Sequence, residues 1–328
     1  MKLLIALRHS FDLWNPPDWV AERLRREFPQ IEIVHLKDYA GLDEQIKDAE
    51  VVVAWSLRPE QVKSATKLRW VHSTAAAVHQ LIFPELVHSD IVLTNASDVH
   101  GPVVAEHVMA LIFALAKRIP QAVRFQQKRV WGQKALWDTQ PRPREIAGAT
   151  VGFVGLGSIG SVAAKHAAAL GMRVIASREH PDKPKPPNVE AIFSPDDLHL
   201  LLGESDYVVL AAPVTPRTQH LMDATHLSQM RPEAYLINVS RGSLVDHAAL
   251  AVALRNQSIG GAALDVFDKE PLAADSPLWD LENLLITPHT AGLTEKLWER
   301  NYALIAENLR RYVAHQPLLA VVDKKKGY

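Results

Sequence analysis

A chain of 328 residues is long enough for two domains, each with its own core. With 36 Lys and Arg against 37 Asp and Glu, the net charge of −1 gives no general attraction to nucleic acid or anionic membrane. The absence of cysteine excludes disulfides, thiolate metal sites and cysteine nucleophiles.

The N-terminal MKLLIALRHS carries an apolar run too short for a secretory signal or a membrane span, and LLIAL (3–7) reads as a first buried strand. IEIVHL (31–36), VVVAW (51–55), RWVHS (69–73) and IVLTN (91–95) are further apolar runs of strand length. Amphipathic pieces such as DWVAERLRREF (18–28) lie between them. That alternation predicts a parallel α/β sheet, with Arg23, Arg25 and Arg26 on the wet face of a helix. Trp55, at the end of the third run, is either a core residue or a wall of a substrate pocket. VVAEHVMALIFALAK (103–117) is a helix with almost no polar face, which predicts burial between domains or subunits; Glu106 and His107 interrupt it as a membrane span. A loop rich in Trp, Arg and Pro (129–144) follows.

A second α/β series starts at Thr150. Its predicted strands are 151–155, 173–177, 191–193, 207–212, 235–240, 261–266 and 284–288, with a loop at KPKPP (183–187). TEKLWERNYALIAENLRRYV (294–313) is an amphipathic C-terminal helix, and KKK (324–326) reads as a solvated, frayed tail. The fifteen histidines form no metal-ligand spacing, so no metal site is expected, and His72 and His79 read as surface or pocket-rim residues. These features predict a soluble cytoplasmic protein with neither nucleic acid nor membrane as partner.

GLGSIG (155–160) follows a strand and opens the helix SVAAKHAAALG, the context that the dinucleotide-binding pattern requires. Gly155 permits the tight turn, Gly157 lets backbone approach a pyrophosphate, and Gly160 allows close helix–strand packing. Ser158 and Ile159 complete the phosphate-facing turn, where a helix N-terminus offers N–H groups and a positive dipole end. The next strand ends in Ser177-Arg178, where an NAD site usually carries Asp or Glu for the ribose 2′-hydroxyl. An Arg there attracts a 2′-phosphate by charge and by a fork of donors. The expected cofactor is NADP(H), with NAD(H) possible if Arg178 faces solvent or stacks on adenine.

NVSRGSLVD (238–246), ALDVFDKEPL (263–272) and TPHTAG (287–292) each put polar residues at the end of a strand, where ligands bind in open α/β sheets. They supply Arg241, Asp265, Glu270 and His289. Together with GLGSIG and PVTPRTQHL, in this order, they closely resemble the D-isomer-specific 2-hydroxyacid dehydrogenase family across essentially the whole chain. The fold that the resemblance implies is α/β, with two Rossmann-like or flavodoxin-like parallel-sheet domains. The cofactor domain (99–292) is inserted into a discontinuous substrate domain (1–98 and 293–328).

The implied reaction is reduction of a small 2-keto acid to the D-2-hydroxy acid. A proton must reach the carbonyl oxygen as hydride reaches carbon, and His289 is the expected acid, since histidine both donates and accepts near neutrality. Glu270 would bond the other ring nitrogen and stabilise the imidazolium. Arg241 would fork onto the substrate carboxylate and polarise the carbonyl. The resemblance places Asp265 at the nicotinamide carboxamide, Pro213 and Thr218 along the cofactor pocket, and Val239 beneath the cofactor. It places the backbone amides of Ala76 and Ala77, in HSTAAAVHQL (72–81), at the substrate carboxylate, although family members often carry Gly and Asp in that loop. It also implies a homodimer, consistent with the apolar helix 103–117. Glyoxylate, hydroxypyruvate or a short homologue would suit such a site. The competing readings are an NAD-dependent oxidiser of lactate or phosphoglycerate type and a dinucleotide-sensing, non-catalytic corepressor. Glu270 disfavours a formate dehydrogenase, where glutamine pairs with the histidine.

Overall fold

The computed structural model describes residues 1–327. The chain divides into two compact units, one made of Met1–His100 and the chain from Thr294 onward, the other of Gly101–Leu293.

The first unit holds five parallel strands, β1 (Lys2–Ala6), β2 (Glu32–Leu36), β3 (Val51–Val53), β4 (Trp70–His72) and β5 (Val92–Thr94), in the order β2-β1-β3-β4-β5. This is the flavodoxin-like order. Successive side chains of β1 point to opposite faces and both faces are covered, so the strand is apolar throughout. Leu3 and Ile5 pack with Val20, Ala21 and Leu24 of the helix Asp18–Glu27, while Leu4 and Ala6 join Leu42, Ile46 and Leu68. The helix Leu297–Val313 closes the first face through Trp298, Tyr302, Ile305 and Leu309, a stripe of helical period. Of the three exposed arginines, Arg23 lies over the Tyr302 ring and Arg25 donates to the Ile33 carbonyl at 3.0 Å.

Two expectations for this unit are corrected. His72 is fully buried rather than at a surface or rim, with Nδ1 2.8 Å from Thr94 Oγ1, because β4 is an inner strand covered on both faces. The C-terminal lysines are not a uniformly frayed tail. Val322 N–H bonds the Leu93 carbonyl, and Lys324 Nζ donates to the carbonyls of Leu86, Ser89 and Ile91 at 2.6–3.0 Å. Only Lys325 and Lys326 are exposed.

The second unit holds seven parallel strands, β6 (Thr150–Val154), β7 (Arg173–Ser177), β8 (Ala191–Phe193), β9 (Tyr207–Leu210), β10 (Tyr235–Asn238), β11 (Gly261–Leu264) and β12 (Leu284–Ile286). Their order is β12-β11-β10-β9-β6-β7-β8, the dinucleotide-binding arrangement extended by one strand. Val151 and Phe153 face a layer of Val104, Val108 and Ile112 from the helix Ser97–Ala116 and Ala163, Ala164 and Ala167 from the helix Ser158–Ala169. On the other face Val208, Leu236 and Leu264 pack with Leu201, Leu250 and Leu254. The helix Ser97–Ala116 is long and apolar enough to cross a bilayer by length and composition alone. Its packing in this layer makes it a core helix, although Glu106 and Phe113 are exposed. The segment predicted as a loop at 129–144 contains a short helix, Gln133–Trp137.

Candidate active site

In the second unit β6 and β9 are neighbours whose chains leave in opposite directions across the sheet. The crevice beyond their carboxyl ends is where open α/β sheets bind ligands. Gly155–Gly160 leaves β6 there, and Ala211–Thr218 leaves β9. Gly155 has φ +101°, a backbone that side-chain-bearing residues rarely adopt. At Gly160 a Cβ would sit 2.1 Å from the Gly155 carbonyl oxygen, so the turn closes onto the helix only without a side chain. A Cβ on Gly157 would meet nothing within 4 Å. The helix Ser158–Ala169, which begins with Ser158, Ile159 and Gly160, starts without a side-chain cap. This turn without side chains and the uncapped helix start leave backbone N–H groups turned to one side, a cradle of the kind that binds anions.

Ser177 is buried at the end of β7, and its carbonyl accepts the Gly155 N–H at 2.8 Å. The half-buried Arg178 turns its guanidinium onto the carbonyls of Lys183 and Pro184. Sequence reasoning missed Arg217, which lies 2.9 Å from Asp196 and 3.6 Å from Glu179 and balances the acidic residue following Arg178. Thr218 caps its own turn, donating to the Pro213 carbonyl at 2.8 Å. Val239 is buried beside the end of β10.

The loops after β10, β11 and β12 hold the polar set. Arg241 donates to the Ser240 carbonyl at 2.6 Å, and burial pushes its guanidinium below the usual range while Glu270 opposes that shift. An arginine so placed keeps its charge. Gly242 allows the next loop to approach, since a Cβ there would lie 1.9 Å from the Phe267 carbonyl carbon. Glu270 accepts the Phe267 N–H on Oε1 at 2.9 Å and holds Nδ1 of His289 on Oε2 at 2.6 Å. The His289 side chain is 52% exposed. With Nδ1 committed to the carboxylate, Nε2 is the nitrogen left to exchange a proton with a ligand.

Asp265 is 1% exposed, and its carboxylate is the hub of the following loop. Oδ1 accepts from Thr287 Oγ1 at 2.6 Å and from Thr290 N at 2.8 Å, and Oδ2 accepts from Ala291 N at 3.0 Å. Thr290 Oγ1 adds a fourth bond to Oδ1 at 3.4 Å, so Oδ1 is crowded and Oδ2, with a single donor, keeps an acceptor position. No sequence signal announced this intraprotein role, because its partners are backbone amides and threonine hydroxyls more than twenty residues away.

Three further candidates lie in the first unit. Trp55 is half-buried after β3, donates to Thr74 Oγ1 at 2.5 Å and meets His9 edge-on at 5.2 Å. The Ala76 carbonyl accepts from Asn95 Nδ2 at 2.7 Å. The amides of Ala76 and Ala77 donate no backbone hydrogen bond among the described residues.

A family model for the NAD-binding domain of D-isomer-specific 2-hydroxyacid dehydrogenases matches residues 109–291. The chain belongs to that family. It is an oxidoreductase that acts on the CH–OH group of 2-hydroxy acids with NAD(P). A glyoxylate reductase of Korarchaeum cryptofilum is 33% identical to the dehydrogenase over 304 residues, which cover 87% of this chain and 90% of that one. A D-3-phosphoglycerate dehydrogenase of Methanocaldococcus jannaschii is 31% identical over 89% of this chain; the match spans 55% of that longer relative. The crystal structure of a D-isomer-specific 2-hydroxyacid dehydrogenase from Xanthobacter autotrophicus, in complex with NADPH and MES, superimposes with a TM-score of 0.84 at 31% identity, over 100% of this chain and 99% of that one.

Proposed function

We propose that the enzyme is an NADPH-preferring reductase of a small 2-keto acid of the glyoxylate or hydroxypyruvate type. The observation that carries this reading is the Glu270–His289 pair at 2.6 Å, with Arg241 near enough for the same carboxylate to support its charge. The Gly155–Gly160 cradle would hold the dinucleotide pyrophosphate, and Ser177 and Arg178 the 2′-phosphate. The bound dinucleotide supplies the hydride. Pro213, Thr218 and Val239 border the cradle, and the remaining acceptor position of Asp265 suits a carboxamide N–H.

Arg241 forks onto the substrate carboxylate and draws electron density toward the keto oxygen. Imidazolium His289 gives the Nε2 proton to that oxygen as charge develops on it. Glu270 fixes the ring through Nδ1 and offsets its positive charge before transfer. In the first unit, Ala76 and Ala77 offer amides to a carboxylate, and Trp55 presents an aromatic edge to a side chain. The names of the relatives, glyoxylate reductase and an NADPH complex, support the substrate class and the cofactor.

One observation favours the alternative, an NAD-dependent oxidiser of lactate or phosphoglycerate type: the Arg178 guanidinium is already held by two carbonyls. Initial rates with NADPH and NADH, each offered glyoxylate, hydroxypyruvate, pyruvate and phenylpyruvate, decide between them. A strong NADPH bias with the two smaller hydroxylated or unsubstituted acids supports the proposal. An NADH bias overturns its cofactor half, and dinucleotide binding without turnover of any acid overturns the enzyme reading of the site.

We also propose a homodimer working in the cytoplasm. Phe113, Ile119, Val123, Val130, Trp131 and Trp137 are exposed within one stretch, Trp131 to 91%, more aromatic surface than a monomer commonly shows. Light scattering on the purified protein tests the dimer.

A further inference from the structure

His289 adopts φ +53°, a left-handed backbone that costs a non-glycine residue about 1–3 kcal/mol. Something must hold it. Its N–H bonds the Asp265 carbonyl at 2.9 Å, and the Asp265 carboxylate gathers Thr287, Thr290 and Ala291 on either side. The Thr287 hydroxyl has one proton, and at 2.6 Å it gives it to Asp265. Its oxygen is therefore an acceptor toward its other neighbour, His107 Nε2, at 3.2 Å. The same nitrogen lies 3.6 Å from Asp265 Oδ1.

We propose that His107, on the helix Ser97–Ala116, is a positioning residue for His289: its Nε2–H fixes the Thr287 hydroxyl against Asp265 and so locks the left-handed turn that aims the catalytic ring. Burial disfavours the charged form of His107, with Asp265 opposing more weakly, so the ring acts as a neutral donor. A polar side chain beside a face otherwise lined with Val, Leu, Ile, Ala and Met is thereby explained. The link to catalysis rests on the reading of His289 as the acid; the link to the turn does not.

The test uses the full-length enzyme with His107→Phe and His107→Gln. Phe removes the donor and keeps bulk, whereas Gln places an amide N–H near the position of Nε2. In His107→Phe, kcat for keto-acid reduction falls about tenfold or more, as a displaced catalytic group predicts, while KM for NADPH stays within about twofold. Hydrogen exchange of the Thr290 and Ala291 amides quickens about tenfold, since the network that protects them opens. His107→Gln restores both readouts. Unchanged exchange in His107→Phe overturns the proposal, and so does equal loss in the Phe and Gln variants, which marks a packing role only. Faster exchange in His107→Phe with rescue by Gln, in an enzyme whose His289→Ala variant keeps full turnover, leaves the turn-locking role standing and overturns the acid assignment instead.

Discussion

Nδ1 of His289 lies 2.6 Å from Oε2 of Glu270, and Oε1 of the same carboxylate accepts the Phe267 N–H. The ring is thus tied, through one side chain, to the backbone of the loop after β11. His289→Ala removes the proposed proton donor and should lower kcat by about a hundredfold to ten-thousandfold, with the dinucleotide affinity nearly intact. Glu270→Gln keeps the shape and removes the charge, and a smaller loss of about ten- to a hundredfold is expected. Steady-state kinetics with a dinucleotide fluorescence titration check both; wild-type turnover in His289→Ala would falsify the acid assignment.

Arg178 follows β7, where the proposed NADP(H) site would hold a 2′-phosphate. Arg178→Ala should raise KM for NADPH about tenfold or more and leave KM for NADH within about twofold, because a charge-assisted fork contributes roughly 1.5–3 kcal/mol. Equal changes for the two cofactors would show that the guanidinium serves the Lys183–Pro184 loop alone.

Gly242 separates Arg241 from the loop that carries Glu270, and a Cβ there would collide with backbone rather than with a side chain that can turn aside. Gly242→Ala should therefore lower kcat/KM by about a hundredfold, by moving Arg241 and Glu270 apart. The Gly155–Gly160 turn follows β6 rather than these strands, so NADPH affinity should fall far less than kcat/KM. A variant with wild-type kcat/KM would show that these loops tolerate the displacement.

His72 is buried on an inner strand, and burial pushes its imidazole down to about 3. In the unfolded chain it titrates near 6.5, so below that pH the unfolded state binds a proton that the folded state refuses. The contribution to stability is whole above pH 6.5 and is lost as the pH falls toward 3, by about 2 kcal/mol at pH 5. His72→Asn keeps a polar atom near Thr94 without the titration. Urea unfolding at pH 7 and pH 5 should show a smaller acid loss in the variant; an identical loss in both proteins would remove His72 as a source.

All twelve strands fall within or beside apolar runs legible in the sequence, because strands covered on both faces admit few polar residues. The glycine turn, Arg241, Glu270 and His289 were legible as motifs with a strand before each. What stayed hidden depends on who meets whom across the chain. Asp265 caps a loop by backbone amides twenty-five residues away, and nothing local marks those partners. His107 looked like an interruption in an apolar helix until Thr287 stood beside it. Lys324 read as solvated because three lysines in a row usually are, yet the antiparallel bridge at Thr94–Val321 brings its ammonium to three carbonyls. His72 misled for the converse reason, since a histidine beside a loop gives no sign that its strand is central.

The first unit is finished by residues that follow the second: Trp298, Tyr302, Ile305 and Leu309 close the face of β1 and β3, and Val322 pairs beside β5. During synthesis, then, the order of completion is the reverse of the order of emergence. Gly101–Leu293 is continuous and has all its strands once its own last residue has left the ribosome. The first hundred residues wait, with the face of Leu3, Leu24 and Val53 only partly covered, until the helix Leu297–Val313 arrives. A stalled or truncated nascent chain would display that apolar face, and it is there that a chaperone would find its grip.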